Sequence, residues 1–236
     1  MGETNLDQIK REAFELNMGI VREHLVILTW GNASCIDRNL GIIAIKPSGV
    51  SYSALKWQDM VLVDLAGKAV DSKLKPSSDT LTHLEIYKGF TSVGAIIHTH
   101  SPWATIWAQA GKSIPALGTT HADHFYGEIP CLPYLSEAKV EKAYEKETGV
   151  QIVRFFKKNK LNPILTPGCL LSGHASFVWA KIPEKAFENA VALESCAKMA
   201  YHSLVINGES SLPDYILAKH YYRKHGESAY YGQKED

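Results

Sequence analysis

The chain has 236 residues, 45% of them hydrophobic, and its 25 lysine and arginine residues equal its 25 aspartate and glutamate residues. The zero net charge argues against a nucleic-acid or membrane-surface partner, because both require a basic excess, and no apolar run approaches the length of a membrane span. Four scattered cysteines without CxxC spacing and an N-terminus without a signal-peptide core predict buried free thiols in a cytoplasmic protein.

The first half of the chain alternates helical and extended patterns. Apolar residues at helical spacing predict a helix over 6–25, and the apolar run 26–30 predicts a strand after it. Two further strands are predicted over 42–46 and 60–64, each followed by residues that favour a turn. An amphipathic segment over 81–90, preceded by serine and aspartate, predicts a second helix.

The second half is predicted to mix helices and strands in the same way. A buried strand over 93–97 is followed by four predicted helices, over 102–110, 137–158, 183–205 and 212–224, and by two strands within 161–180. Residues 118–124 are predicted to form a polar loop, and Glu145 and Glu147 a solvated helix face. Without repeats or linker-like composition, this mixture predicts a single α/β domain.

Two histidines follow the buried strand at 93–97 and are separated by one residue. Alternate residues of a strand face the same side, so His98 and His100 would project together, about 6.6 Å apart along the chain. This spacing suits two imidazoles that bind one metal ion, whereas a single histidine is more often a core or surface residue. His174, at the predicted turn within 161–180, would add a third ligand and leave one position open for substrate.

Two segments of the N-terminal half carry groups that suit an anionic ligand. Lys46, the Ser48 hydroxyl and the Gly49 N–H group follow a predicted strand and could hold a phosphate. The alternative for this segment is a plain Pro-Ser-Gly turn. Upstream, Gly31 allows a sharp turn and Asn32 could offer its side-chain amide to a ligand.

A third polar segment precedes the predicted helix at 81–90. Ser77 and Ser78 would place two hydroxyls beside the free N–H groups of a helix N-terminus, which favour an anion. Asp79 is compatible with an ordinary helix N-cap.

Six stretches resemble the class II aldolase/epimerase family, and together they cover essentially the whole chain. The stretches at 105–127 and 219–233 are typical of its epimerases, whereas the HTH motif at 98–100 and the Ser-Ser pair at 77–78 are shared across the family. The family usually has Gly-Pro-Phe after its third histidine, where this chain has Ala175, Ser176 and Phe177. The matching stretches are TWGN (29–32), IKPSGV (45–50), KPSSDTLTH (75–83), HTHS (98–101), TIWAQAGKSIPALGTTHADHFYG (105–127) and KHYYRKHGESAYYGQ (219–233).

The resemblance implies one α/β domain over 1–236, with a central, mostly antiparallel sheet flanked by helices. It also implies a cyclic homotetramer in which 212–236 contributes to the active site of a neighbouring subunit. Each subunit would hold one zinc ion, with manganese or cobalt as alternatives. The implied site residues are Asp79, His98, His100 and His174 for the metal; Gly31, Asn32, Lys46, Ser48, Gly49, Ser77, Ser78, His220 and Arg223 for the sugar phosphate or the interface; and Asp123 and Tyr231 for acid/base catalysis.

The activity that the resemblance implies is epimerisation at C4, which interconverts L-ribulose 5-phosphate and D-xylulose 5-phosphate. With the carbonyl at C2 the C4 hydrogen is not acidic, so the reaction requires transient oxidation or cleavage and re-formation of the C3–C4 bond. The sequence has no GxGxxG dinucleotide fingerprint after a strand, which favours retro-aldol cleavage assisted by a metal. Asp123 and Tyr231 would carry protons on opposite sides of the substrate.

Two alternatives remain open at this point. One is a class II aldolase that acts on fuculose or rhamnulose 1-phosphate, although those relatives place a glutamate where this chain has Asp79. The other is a non-catalytic interaction module like the adducin head domain, which has lost the metal site. Retention of the three histidines, Asp79, Asp123 and Tyr231 argues against the second alternative.

Overall fold

A computed structural model describes residues 4–71, 73–225 and 229–231. Within these residues the strands are β1 (Asn32–Asp37), β2 (Ile42–Ile45), β3 (Val61–Asp64), β4 (Ala69–Asp71), β5 (Ala95–Thr99), β6 (Cys131–Leu132), β7 (Gly168–Leu171) and β8 (Ser176–Ala180). The α-helices are α1 (Asn5–Arg22), α2 (Thr80–Gly89), α3 (Pro102–Gln109), α4 (Thr119–Ala122), α5 (Glu137–Lys158), α6 (Pro183–Ile206) and α7 (Asp214–Lys224).

All eight strands form one sheet in the order β4-β3-β2-β1-β5-β8-β7-β6. Every neighbouring pair is antiparallel except β6 and β7, which are parallel. Helices cover both faces of the sheet, which confirms the predicted α/β fold with a central, mostly antiparallel sheet. No helix in the described part of the chain is both long and apolar enough to cross a bilayer.

The two faces of the sheet pack against different helices, and this decides where the histidines point. Apolar residues of α1, α3 and α6 join one core cluster, and those of α2 and α5 join the other. In β5, Ile97 belongs to the first cluster and Ile96 to the second, because neighbouring strand residues face opposite sides. His98 therefore faces the α2 and α5 side, like Ile96.

The predicted helices and most predicted strands are confirmed, but the strand at 26–30 is wrong. This segment forms a tight turn that a single bridge between Ile27 and Trp30 closes, with Leu28 at φ 54°. The side chains of Ile27, Leu28 and Trp30 are exposed, and Leu28 is 75% accessible, whereas Val26 packs partly against the core. The strand lies one step further on, as β1, where the polar residues Asn32 and Ser34 are buried and mask the apolar pattern of a core strand.

The prediction of a loop over 118–124 is also wrong in part, because Thr119–Ala122 form the short helix α4. The predicted free cysteines are confirmed: all four are free, and Cys35, Cys169 and Cys196 are buried.

Two buried histidines make the fold sensitive to acid. Burial lowers the pKa of His83 to about 3 and that of His121 to about 4, because it disfavours the charged form. An unfolded histidine titrates near 6.5, so between these values the unfolded chain binds the extra protons. Stability is therefore complete above about pH 6.5 and falls as the pH decreases, by about 2 kcal/mol for each such histidine at pH 5.

We expect the urea midpoint of the wild type to fall steadily between pH 7 and pH 4.5. Replacing His121 by glutamine should make this dependence less steep, because the variant removes one of the buried histidines that stay neutral in the fold. The same substitution at the exposed His24 is the matched control and should leave the slope unchanged. Parallel slopes for the wild type and both variants would contradict this explanation.

Candidate active site

Three histidines meet where β5 leaves the sheet. His98 lies in β5, and His100 is the first residue after this strand. His174 lies in the turn between β7 and β8, and the antiparallel pairing of β5 with β8 brings this turn alongside. One ring nitrogen of each lies within 4.8 Å of the corresponding nitrogens of the other two. The three ring centroids are 4.9 Å apart in each pair. This convergence is the geometry that a shared cation requires.

The orientation of His98 is fixed by its surroundings. Its ring stacks on Phe177 at a centroid distance of 4.2 Å, and its Nδ1 lies 2.9 Å from the Ser176 carbonyl oxygen. A carbonyl oxygen only accepts, so Nδ1 carries the hydrogen and Nε2 keeps its lone pair for a metal. The backbone of Ser176 makes this contact, so the Ala175-Ser176 departure from the family pattern leaves the orienting carbonyl in place.

All three imidazoles are held in the neutral form that can bind a metal. Burial lowers the pKa of His98 and His100 below the usual value, and it lowers that of His174 to about 4. The first cause in each case is desolvation, which disfavours the imidazolium ion, and the neighbouring histidines reinforce it.

Asp79 occupies the N-cap position of α2 but makes no capping hydrogen bond with its side chain. Its Oδ2 instead accepts a hydrogen bond from Asn32 Nδ2 at 2.7 Å and lies 3.9 Å from His98 Nε2. Burial alone would raise the pKa of Asp79, but interactions with His98 and His83 and the Asn32 hydrogen bond bring it below the ordinary value. The carboxylate is therefore ionised and directed to the histidine cluster rather than to the helix.

The donor set of three neutral imidazoles and one nearby carboxylate fits a divalent transition metal. Nitrogen and carboxylate ligands suit zinc, manganese and cobalt alike. In addition, the side-chain oxygen of Asn32 is buried and has no hydrogen-bond partner among the described residues. This oxygen can therefore accept a hydrogen bond from a bound ligand.

The loops that follow β2 and precede α2 are joined to each other. Ser48 N–H donates to the Lys75 carbonyl at 2.9 Å and Ser77 N–H to the Lys46 carbonyl at 3.0 Å. These two N–H groups are consequently used within the protein. The Ser78 hydroxyl and the Lys46 ammonium remain as donors for an anion.

One cavity of about 470 Å³ contains both the histidines and these loops. The three histidines and the polar groups of these loops therefore face one shared space. Of the sequence-predicted residues, the structure places here Gly31, Asn32, Lys46, Ser48, Gly49, Ser77, Ser78, Asp79, His98, His100 and His174.

Gly31 is required by a close approach of two strands. Its φ is 105°, and a Cβ atom at this position would lie 2.8 Å from the His98 carbonyl oxygen. No L side chain fits there, so only glycine allows β1 to begin directly beside the end of β5 that carries His98.

Five further residues line the cavity and were not predicted as site residues: Thr29, Trp30, Pro47, Tyr144 and Glu145. The last two come from an unexpected place. Helix α5 is interrupted at Ala143, where φ is −173° and ψ is 75°. The interruption places Tyr144 Oη 3.5 Å from His174 Nδ1 and brings Glu145 to the cavity wall. The predicted solvated face is therefore wrong for Glu145, while Glu147 is mostly buried and pairs with Lys139 at 3.6 Å. Helical periodicity gives no sign of such an interruption.

The remaining predicted residues form a separate cluster around Asp123. Arg223 binds this carboxylate in a bidentate manner, at 3.2 Å from Nε and 2.8 Å from a terminal nitrogen. His220 and Lys224 lie 3.4 and 3.5 Å from the carboxylate oxygens. The Tyr231 ring lies 4.8 Å from the Arg223 guanidinium carbon and 4.7 Å from Lys224 Nζ.

Asp123 and Tyr231 line a different cavity, of about 600 Å³, which shares no lining residue with the histidine cavity. Burial alone would raise the pKa of Asp123, but the hydrogen bond from Arg223 and the charge of Lys224 bring it below the usual value. His225, which the sequence did not single out, contacts the Asp123 carbonyl at 2.9 Å. Within one chain, the structure does not bring the predicted acid/base residues, Asp123 and Tyr231, to the histidines.

Comparison with known proteins agrees with this fold. The family model of the class II aldolase and adducin N-terminal domain matches residues 11–201, so the chain belongs to the class II aldolase and adducin family. Members of this family generally depend on a divalent metal.

Two relatives are similar over nearly the whole chain. Proteins of Salmonella paratyphi A and Salmonella typhi, both named L-ribulose-5-phosphate 4-epimerase UlaF, are 48% identical over 230 residues, which is 97% of this chain and 100% of each relative. A solved L-fuculose 1-phosphate aldolase is 25% identical, with a TM-score of 0.80 over 94% of this chain and 97% of that one. An aldolase II superfamily protein of Pseudomonas syringae shares the fold, with 14% identity, a TM-score of 0.77 and coverage of 94% and 86%.

Proposed function

We propose that this protein is a metal-dependent epimerase that interconverts L-ribulose 5-phosphate and D-xylulose 5-phosphate by cleaving and re-forming the C3–C4 bond. The observation that carries the proposal is a single cavity with a three-histidine cluster at one end and a phosphate-type seat at the other. The 48% identity to proteins named as this epimerase supports the choice of substrate.

Zinc, or manganese or cobalt in its place, would be held by His98, His100, His174 and Asp79. When bound, such an ion supplies Lewis-acid stabilisation of negative charge on substrate oxygens. The Ser176 carbonyl keeps His98 in the correct tautomer. Asn32 holds the carboxylate of Asp79 in place from the other side.

The anion seat has to retain the phosphate-bearing fragment while the C3–C4 bond is broken. Lys46, Ser48, Gly49, Ser77 and Ser78 surround that end of the cavity with a cation and hydrogen-bond donors. A fragment tethered through its phosphate can present its opposite face before the bond re-forms, which is the event that inverts C4.

We further propose that Asp123 and Tyr231 act on the cavity of a neighbouring subunit in a cyclic homotetramer, with 212–236 as the contributing segment. The separation of the two cavities within one chain supports this arrangement. Tyr231 is 58% exposed, so its side chain is accessible to a second copy. The ionised Asp123 is a proton acceptor, and His220 and Arg223 hold it in position.

The test is incubation with L-ribulose 5-phosphate before and after treatment with a chelator. We expect D-xylulose 5-phosphate from the metal-loaded protein, loss of turnover after chelation, and recovery on addition of zinc, manganese or cobalt. Dihydroxyacetone phosphate from fuculose or rhamnulose 1-phosphate, with no change of L-ribulose 5-phosphate, would instead assign the aldolase activity. A preparation that holds no stoichiometric metal under any condition would favour a non-catalytic module.

A further inference from the structure

Lys46 is a buried cation without a carboxylate partner among the described residues. The residue is only 2% exposed, and its Nζ donates one long hydrogen bond, 3.4 Å to the Pro47 carbonyl oxygen. No ion pair with an acidic side chain is found for it among the residues that the structure describes, and burial alone accounts for its lowered pKa. A buried ammonium ion normally requires a compensating partner.

The group that faces this ammonium ion is the ring of Tyr52, which is 7% exposed. Lys46 Nζ lies 4.7 Å from the ring centroid, within the range of a cation–π interaction. Such an interaction is stronger where water is excluded. It also leaves the formal positive charge in the cavity undiminished, whereas a carboxylate would neutralise the ammonium ion and repel a phosphate.

The hydroxyl of Tyr52 connects the same ring to the opposite wall of the cavity. It donates a hydrogen bond to the Gly31 carbonyl at 2.9 Å. Burial raises the pKa of Tyr52, so the hydroxyl keeps the proton that it donates. Tyr52 therefore joins the Lys46 loop to the turn at Gly31, and both of these line the same cavity.

We propose that Tyr52 is a positioning residue for the anion seat, whose ring holds the Lys46 ammonium ion in place for the substrate phosphate. The ring stabilises the buried ammonium ion, as a carboxylate does in an ion pair, and the hydroxyl fixes the ring by its hydrogen bond to Gly31. This inference rests on the proposed function, because it assigns Lys46 to the phosphate of the substrate.

The experiment is a double-mutant cycle on phosphate binding, with inorganic phosphate as the probe and the metal-loaded protein as the sample. Tyr52→Leu removes the ring and should weaken phosphate binding about 10- to 30-fold, whereas Tyr52→Phe keeps the ring and should stay within about threefold of wild type. In a Lys46→Met background, Tyr52→Leu should add less than about twofold, because the cation on which the ring acts is gone.

Two readouts separate positioning from a general loss of structure. Metal content should match the wild type within error in Tyr52→Phe, and its thermal midpoint should fall only slightly, for the lost hydrogen bond to Gly31. With sugar phosphate, Tyr52→Leu should raise KM more than it lowers kcat. If Tyr52→Leu does not fold, Tyr52→Met replaces it, because its unbranched side chain fills the same space.

Equal losses from Tyr52→Phe and Tyr52→Leu would overturn the proposal, and so would an undiminished effect of Tyr52→Leu in the Lys46→Met background. A wild type that binds no phosphate would overturn it as well. Phosphate binding is measured without a sugar, so a protein that shows the expected cycle but does not epimerise L-ribulose 5-phosphate refutes the proposed reaction and leaves the role of Tyr52 intact.

Discussion

Replacing His98 by asparagine is expected to remove the metal and the activity together while leaving the fold intact. Asparagine retains an N–H donor that can reach the Ser176 carbonyl, which His98 Nδ1 binds at 2.9 Å in the wild type. It offers no nitrogen lone pair in place of His98 Nε2, the atom that faces Asp79 and the cluster. Substitution of an outer partner of a metal ligand typically costs 10- to 100-fold in affinity, so loss of the ligand itself should exceed about 100-fold.

Metal analysis and turnover of L-ribulose 5-phosphate, measured on the same preparation, check this expectation. His24→Asn is the matched control, because His24 is exposed and lies outside both cavities. The control should keep stoichiometric metal and full activity. A His98→Asn protein with wild-type metal content and wild-type turnover would remove the histidine cluster from the mechanism.

The placement of His98 and His100 on one side of the chain could be predicted from the sequence, because it depends only on the periodicity of a strand. His98 lies in β5 and His100 follows its last residue, so the alternation of an extended chain is sufficient to place both on one side. The position of His174 depends on the antiparallel pairing of β5 with β8, which spacing in the sequence does not specify. His174 was therefore only a candidate third ligand from its place at a predicted turn, which the family resemblance also implied, and the structure brings it to the other two.

The wall of the cavity could not be derived in this way. Tyr144 and Glu145 reach it through an interruption of α5 that no proline or glycine marks. Tyr52 follows the Lys46 loop, but the sequence does not show its contacts with Lys46 and Gly31, which form only in the folded protein. Similarly, the apolar run 26–30 suggested a buried strand because of its hydrophobicity, but Ile27, Leu28 and Trp30 are exposed in the folded protein.

Replacing Tyr231 by phenylalanine is expected to leave folding and metal content unchanged and to reduce epimerisation about 100- to 10,000-fold, the range for loss of a general acid or base. The ring remains, so its contacts with Arg223 and Lys224 persist, and only the hydroxyl is lost. Tyr215→Phe is a matched control, because Tyr215 is also exposed on the C-terminal part of the chain. Wild-type turnover by Tyr231→Phe would exclude this hydroxyl from proton transfer.

The same variant tests whether the active site is shared between subunits. If the histidines of one chain work with Tyr231 of the next, subunits of His98→Asn and Tyr231→Phe mixed at random in a cyclic tetramer will form about one intact site in four. Two nearly inactive proteins should then recover up to about a quarter of wild-type activity after joint refolding.

A mixture of Asp123→Asn with Tyr231→Phe is the control, because both changes lie in one cluster and neither chain can supply the complete pair. Recovery in neither mixture would place all catalytic groups within one chain, and the separation of the two cavities would then require a rearrangement of α7.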